Sequence, residues 1–453
     1  MDDTRGRWSG RLGLTALTLG AALALALGGC ASPVESPSTV APTAESEGDV
    51  VPESVPGPAA ARAAITVTEA PIAPEVEVAA DEATVMVAAP AEPAESPEPK
   101  APIVAERLAR RGDEIMVAGQ LFHIGTPVVL WTDPGGYDGY RVERRFAPWA
   151  EADWDTSRAA SKGLSTPNRY GVRAAVLTPQ EIEQVRGGGW PLELLQKVVD
   201  QFVLHYDAAG TSRRCFARLH DDRGLSIHFM LDVDGTIYQT LDLKERAWHA
   251  TVANSRSIGI EIANVGAYAD PQADALQGWY QTDAESGVVQ MRIPGYAQPS
   301  GLRDEAADLA PARNEMVAGP IHGEVFHQYD LAEAQYAALA KLTAALSTVF
   351  PRIACDYPRD EYGRLITTTL SPDAWSEFSG VLGHYHIQRN KIDPGPALQW
   401  DRVIGPAREM LGLEPLPEPT QPVEAAPEVQ SDGDEEASPE ASTEVEKKIE
   451  QSS

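Results

Sequence analysis

The chain has 453 residues and a formal net charge of −30, most of it carried by the two ends. The folded middle is only mildly acidic and offers no basic face, which excludes nucleic acid as a partner. Residues 31–100 and 414–453 are rich in Pro, Ala, Glu and Ser and poor in aromatics, so they bury too little apolar surface to offset ordering and read as disordered tails.

At the N-terminus, Arg5, Arg7 and Arg11 precede an apolar run from Leu12 to Leu27, which ends in Gly28-Gly29-Cys30. The run is shorter than the ~20 residues of a spanning helix, so residues 1–30 read as a signal peptide. Small residues before a cysteine resemble the lipobox of bacterial lipoproteins. That resemblance implies lipidation of Cys30, a membrane anchor on the periplasmic side of the cell envelope, and residues 31–100 as a tether. Ala31 is no retention aspartate, which favours the outer membrane.

Residues 101–190 form an N-terminal extension. Pro102 to Arg111 reads as a short helix or the end of the tether. Glu114 to Trp131 is β-like and stops at the turn Asp133-Pro134-Gly135-Gly136. Ala147 to Gly189 has no regular pattern. Pro191 to Val199 has helical spacing, and Phe202 to His205 is a short apolar strand. Ser226–Leu231 and Thr236–Leu241 flank Asp232-Val233-Asp234-Gly235 and predict a hairpin. In Ser257–Ile262, Ile258, Ile260 and Ile262 face one way, while Ser257, Gly259 and Glu261 face the other.

A Gly-, Pro- and Asp-rich insertion, about 265–328, is expected on the surface. Leu331 to Phe350 predicts an amphipathic helix with Tyr336, Leu339, Leu342, Leu346 and Val349 in one stripe, Asp330 as N-cap and Pro351 as terminator. Gly380 to Trp400 reads as a loop. Strands followed by a long helix give an α/β fold, a single mixed sheet flanked by helices.

Among nine histidines, His205 closes an apolar strand and His384 follows a glycine. Asp393 stands in Lys391-Ile392-Asp393-Pro394-Gly395. Two histidines and a carboxylate supply the three protein ligands of a catalytic zinc, with one position open for water. His386 is an alternative ligand, because an extended His384-Tyr385-His386 puts both rings on one face.

Leu204-His205, Ser226-Ile227-His228-Phe229, Asp234-Gly235-Thr236-Ile237-Tyr238-Gln239, Ala247-Trp248-His249-Ala250, Ser257-Ile258-Gly259-Ile260-Glu261 and Gly383-His384 through Asp393-Pro394-Gly395-Pro396-Ala397 occur in this order. The set resembles the N-acetylmuramoyl-L-alanine amidase type 2 family, whose fold is shared with peptidoglycan recognition proteins. The resemblance covers about Gln201 to Ile262 and Leu331 to Trp400, inside an amidase domain at 191–413.

It implies a zinc hydrolase that cuts the amide between the lactyl group of N-acetylmuramic acid and L-alanine. Zinc would be held by His205, His384 and Asp393. Lys391 would stabilise the oxyanion, Glu261 would move protons, and His249 would line the substrate groove. The resemblance selects Asp393 over His386 as third ligand and sets His228 beneath the site. A relative that only binds muropeptides typically lacks a ligand. Cys215 and Cys355 are expected as buried or free thiols in preference to a disulfide.

Overall fold

A computed structural model describes residues 108–156, 160, 163 and 169–420. The signal peptide, Cys30, the tether and the acidic tail from 421 lie outside the described residues. In chain order come β1 (Glu114–Val117), β2 (Gln120–His123), β3 (Val128–Leu130), α1 (Pro179–Val185), α2 (Leu192–Val198), β4 (Gln201–Tyr206) and α3 (Ser212–Phe216). Then follow β5 (Phe229–Leu231), β6 (Ile237–Gln239), β7 (Ser257–Ile262), α4 (Asp274–Trp279), β8 (Tyr280–Thr282), β9 (Val289–Met291), β10 (Val317–Ile321) and β11 (Glu324–Gln328). The last elements are α5 (Glu333–Val349), α6 (Pro372–Glu377), β12 (Gly380–Gly383) and α7 (Trp400–Met410). No helix among the described residues is long and apolar enough to cross a membrane.

The central sheet is mixed, with strand order β12-β4-β7-β5-β6-β3. Only β5 and β6 pair antiparallel, as the predicted hairpin, and their other neighbours are parallel. Alternation sorts each strand's side chains. Phe202 and Leu204, Phe229 and Leu231, Ile258, Ile260 and Ile262, and Val381 all enter one large core, together with Leu339, Leu342 and Leu346 of α5 and Val403 and Ile404 of α7. Each such side chain, fully buried, contributes roughly 1.5–3 kcal/mol. The opposite face carries two smaller clusters. Met230, Ile227, Cys215 and Phe216 form one, under α3, and Val203, Leu382, Ala250 and Ala253 form the other. Among these odd-face positions stand His205 and Glu261.

Several expectations change. The helix predicted from Leu331 begins at Glu333, and Asp330 is not its cap. The cap is Ala332, whose N–H donates to the Gln335 side chain (3.0 Å). Asp330 is engaged elsewhere, accepting from the Tyr336 hydroxyl (2.6 Å) and from Arg313 (2.7 Å). The supposed loop from Gly380 opens with β12, an edge strand paired to β4. α1 lies in a stretch without sequence pattern, and a Thr178–Glu181 capping box starts it. In the N-terminal extension β3 pairs with β6 and forms the other edge of the sheet. The insertion packs Val265, Leu276, Trp279, Tyr280, Val289 and Met291 into a cluster shared with Val233, Ala263 and Ala332. Residues 414–420 lie along the domain, with the Thr420 N–H donating to the Tyr362 carbonyl (2.8 Å). Cys215 and Cys355 are both buried free thiols.

The turn between β5 and β6 stores an ionisation cost. Asp232 is fully buried; its Oδ1 accepts the N–H groups of Val233 (3.0 Å) and Ser212 (3.3 Å), while Oδ2 has no partner. Burial, then the charge of Asp234, pushes its pKa up to about 8. The folded state therefore holds a proton that the unfolded chain releases near its ordinary value of 3.8, so stability falls as pH rises between those values. Asp232→Asn should match the parent near pH 4 and become the more stable protein toward pH 8. The gain should be at most about 1.4 kcal/mol per pH unit, read from urea midpoints across that range. Equal midpoints throughout would show that Asp232 is ionised in the fold.

Candidate metal centre

The parallel pairing of β4 with β7 sets His205 directly beside Glu261. β12 pairs with β4 so that Leu382 lies beside Val203 and Gly383 beside Leu204. One more step along the chain brings His384 next to His205, and their rings meet edge to face with centroids 4.5 Å apart. Asp393 closes the group. Its Oδ2 lies 2.8 Å from His205 Nδ1 and 2.9 Å from His384 Nδ1. All three residues are buried, and one ligand atom from each lies within 4.8 Å of the others.

The far side of each ring has a partner too. His384 Nε2 donates to Gln388 Oε1 (2.6 Å), and His205 Nε2 lies 3.1 Å from His249 Nδ1. On the inner side each Nδ1 stands at hydrogen-bond distance from the Asp393 carboxylate, the position from which a cation shared with that oxygen would be bound. Outer hydrogen bonds of this kind fix the tautomer that a metal ligand needs. Burial, and then the neighbouring His384, lower the His205 pKa to about 4, so this ring is neutral at pH 7. Burial works against the Asp393 charge, but His384 and His205 outweigh it and hold the carboxyl well below the usual range. Neutral imidazole and ionised carboxylate are the states that bind a divalent cation. The donor set, two imidazole nitrogens and one carboxylate oxygen, fits zinc with a position left open.

Glu261 faces the same side as His205. Burial, then the charges of Asp393 and Asp207, raise its pKa well above the carboxylate range, while Arg223 and Lys391 pull the other way. Lys391 stands two residues before Asp393 on the same loop.

His249 is half-buried, wedged between His205 and the Ser257 hydroxyl, which lies 3.2 Å from its Nε2. Only a glycine at 259 leaves room for this ring, since a Cβ there would stand 2.5 Å from His249 Nδ1. The structure therefore gives His249 a ligand-orienting contact beside the groove role expected of it.

His386 is settled by its partners. Its Nδ1 accepts the Gly383 N–H (2.9 Å) and its Nε2 donates to the Ile366 carbonyl (2.6 Å), so neither nitrogen is left for a metal. His228 lies fully buried under the site, between the Gly259 N–H (3.1 Å) and the Glu245 carbonyl (3.0 Å).

Sequence reasoning missed three supporting residues. Gln388 stands four residues after His384, a spacing that a turn-forming segment makes readable. Ser257 was placed on the correct face but given no partner. Arg173, fully buried, donates to the carbonyls of Ser255 (3.1 Å), Ser257 (2.9 Å) and Leu243 (2.9 Å), tying down the segment that carries His249. It comes from a stretch with no periodicity and gave no signal.

The Amidase_2 family model, described as N-acetylmuramoyl-L-alanine amidase, matches residues 195–291. No curated protein matches the chain. Among solved structures, a selenomethionine derivative of AmpD is 18% identical, over 60% of this chain and 98% of that one, with a TM-score of 0.25. The N-acetylmuramyl-L-alanine amidase AmiD from E. coli was solved with the substrate anhydro-N-acetylmuramic acid-L-Ala-D-gamma-Glu-L-Lys. It is 20% identical over 48% of this chain and 59% of its own, with a TM-score of 0.25. The N-acetylmuramoyl-L-alanine amidase LysC from Clostridium intestinale URNW is 12% identical over 49% and 89%, with a TM-score of 0.24. Likenesses this remote bear on no residue's role. The family match takes in His205, His249 and Glu261, and folding adds His384, Lys391 and Asp393 from outside it. Over residues 195–291 the chain is similar to the N-acetylmuramoyl-L-alanine amidases of the Amidase_2 family.

Proposed function

We propose that this protein is a zinc-dependent N-acetylmuramoyl-L-alanine amidase. It acts on peptidoglycan or muropeptides, hydrolysing the amide between the lactyl group of N-acetylmuramic acid and L-alanine. The observation that carries the reading is the convergence of His205 Nδ1 and His384 Nδ1 on one Asp393 oxygen, beside Glu261, in a chain whose 195–291 segment matches that family.

Zinc held by His205, His384 and Asp393 would supply Lewis acidity and lower the pKa of water toward neutrality. Glu261 takes the proton of the attacking water and passes it to the departing amide nitrogen. Its raised pKa suits a group that must hold that proton between the two events. The Lys391 ammonium stabilises the negative charge that develops on the carbonyl oxygen. The bond from lactyl carbon to alanine nitrogen breaks, leaving a lactyl carboxylate and a free N-terminal L-alanine. A lipid on Cys30 would hold the enzyme to an envelope membrane, with the outer membrane favoured by Ala31.

Purified protein should release free N-terminal L-alanine from peptidoglycan only with zinc present; binding without release would leave a recognition module. Glu261→Gln should keep zinc and lose about 10²–10⁴-fold in kcat. Asp393→Ala should lose zinc and turnover together, whereas His386→Gln should keep its zinc stoichiometry in equilibrium dialysis. For the anchor, Cys30→Ser should abolish lipid labelling and move the protein out of the membrane fraction, and unchanged retention would contradict it.

A further inference from the structure

The insertion between β7 and α5 reaches back to the loop that carries Lys391 and Asp393. Gln328, 1% exposed at the end of β11, donates from Nε2 to the Pro394 carbonyl (3.1 Å) and accepts the Ala397 N–H at Oε1 (3.0 Å). His322, at the tip of the β10–β11 hairpin, donates from Nε2 to the Lys391 carbonyl (2.9 Å). Arg313 donates to the Ala397 carbonyl and is itself held by Asp330 (2.7 Å). Gly319 of β10 sits so close to Pro396 that a Cβ would stand 2.8 Å from the proline Cβ.

The loop has other contacts as well. The Tyr385 N–H donates to the Asp393 carbonyl (3.1 Å), the Gly395 N–H to the Ile392 carbonyl (2.9 Å), the Lys391 N–H to the Gln388 carbonyl (3.1 Å), and the Tyr336 hydroxyl to the Ala397 carbonyl (3.4 Å). The Lys391 and Pro394 carbonyls and both Ala397 backbone groups are nonetheless met by insertion side chains. A buried loop without such partners would not hold one conformation. Asp393 precedes the carbonyl that Gln328 grips, and Lys391 owns the carbonyl that His322 grips. Displacing a reacting group by about 1 Å costs an enzyme on the order of 100-fold in rate.

The geometry points to the Val317–Gln328 hairpin as a built-in brace for the Lys391–Ala397 loop, with Gln328, Gly319 and His322 as positioning residues for Asp393 and Lys391. This rests on the amidase reading for its catalytic consequence, though the brace itself is a matter of loop order.

The test uses the full chain with Gln328→Leu, Gly319→Val and His322→Ala, and with Glu324→Ala, an exposed change on the same hairpin, as control. Amide hydrogen exchange over residues 388–399 is measured without metal, zinc affinity by chelator competition, and kcat and KM on peptidoglycan. Gln328→Leu and Gly319→Val should speed exchange in that loop at least about 10-fold relative to the central sheet and weaken zinc about 10-fold. His322→Ala should lower kcat with KM and zinc affinity held. The control should match the parent.

Loop exchange and zinc affinity equal to the control in both Gln328→Leu and Gly319→Val would overturn the brace. So would exchange that rises equally across the whole domain, since that marks general destabilisation. If the parent protein itself cleaves nothing, the amidase reading falls, and the exchange and zinc measurements still decide the brace.

Discussion

The site depends on one constraint, the burial of a single face of parallel strands. Ile258, Ile260 and Ile262 enter the same core as Phe202 and Leu204, and that burial fixes the register between β4 and β7. A slip by one residue would turn every one of these side chains to the wrong face. Because the register holds, His205 and Glu261 are forced together on the opposite face. The edge strand β12 obeys the same rule, with Val381 in the large core and Leu382 facing away, so the next alternate position belongs to His384.

Around that frame the hydrogen bonds form a directional set. Ser257 contacts His249, His249 contacts His205, and Gln388 accepts from His384. These contacts fix both rings with Nδ1 turned toward Asp393. Below them, His228 takes the Gly259 N–H, and Arg173 gathers the carbonyls of the segment leading into β7. The centre is thus oriented from behind by groups outside the His205–His384–Asp393 set.

Alternation made the faces of β4 and β7 legible, because one side of each strand is apolar and the other is not. The stripe of α5 was legible for the same reason. Asp330 misled as a cap because its carboxylate already serves Tyr336 and Arg313, a tertiary demand that local pattern does not display. Four residues bounded by glycines carry too little pattern to mark β12 as a strand. The resemblance prefers Asp393 to His386, and folding supplies the physical reason: the Gly383 N–H and the Ile366 carbonyl occupy both nitrogens of the His386 ring. The contacts of the insertion with the Asp393 loop were hidden for a related cause, since they join side chains to backbone across long separations.

His205 and Asp393 lie 188 residues apart in the chain. A cation gripped at both ends therefore behaves as a cross-link as well as a reagent. In the chain-entropy picture, closing a loop of that length disfavours the unfolded state by roughly 5 kcal/mol when the closure is as firm as a covalent one. On that view, stripping the cation would loosen the fold as well as silence the chemistry. A protein that bound such an ion would then owe part of its endurance to it.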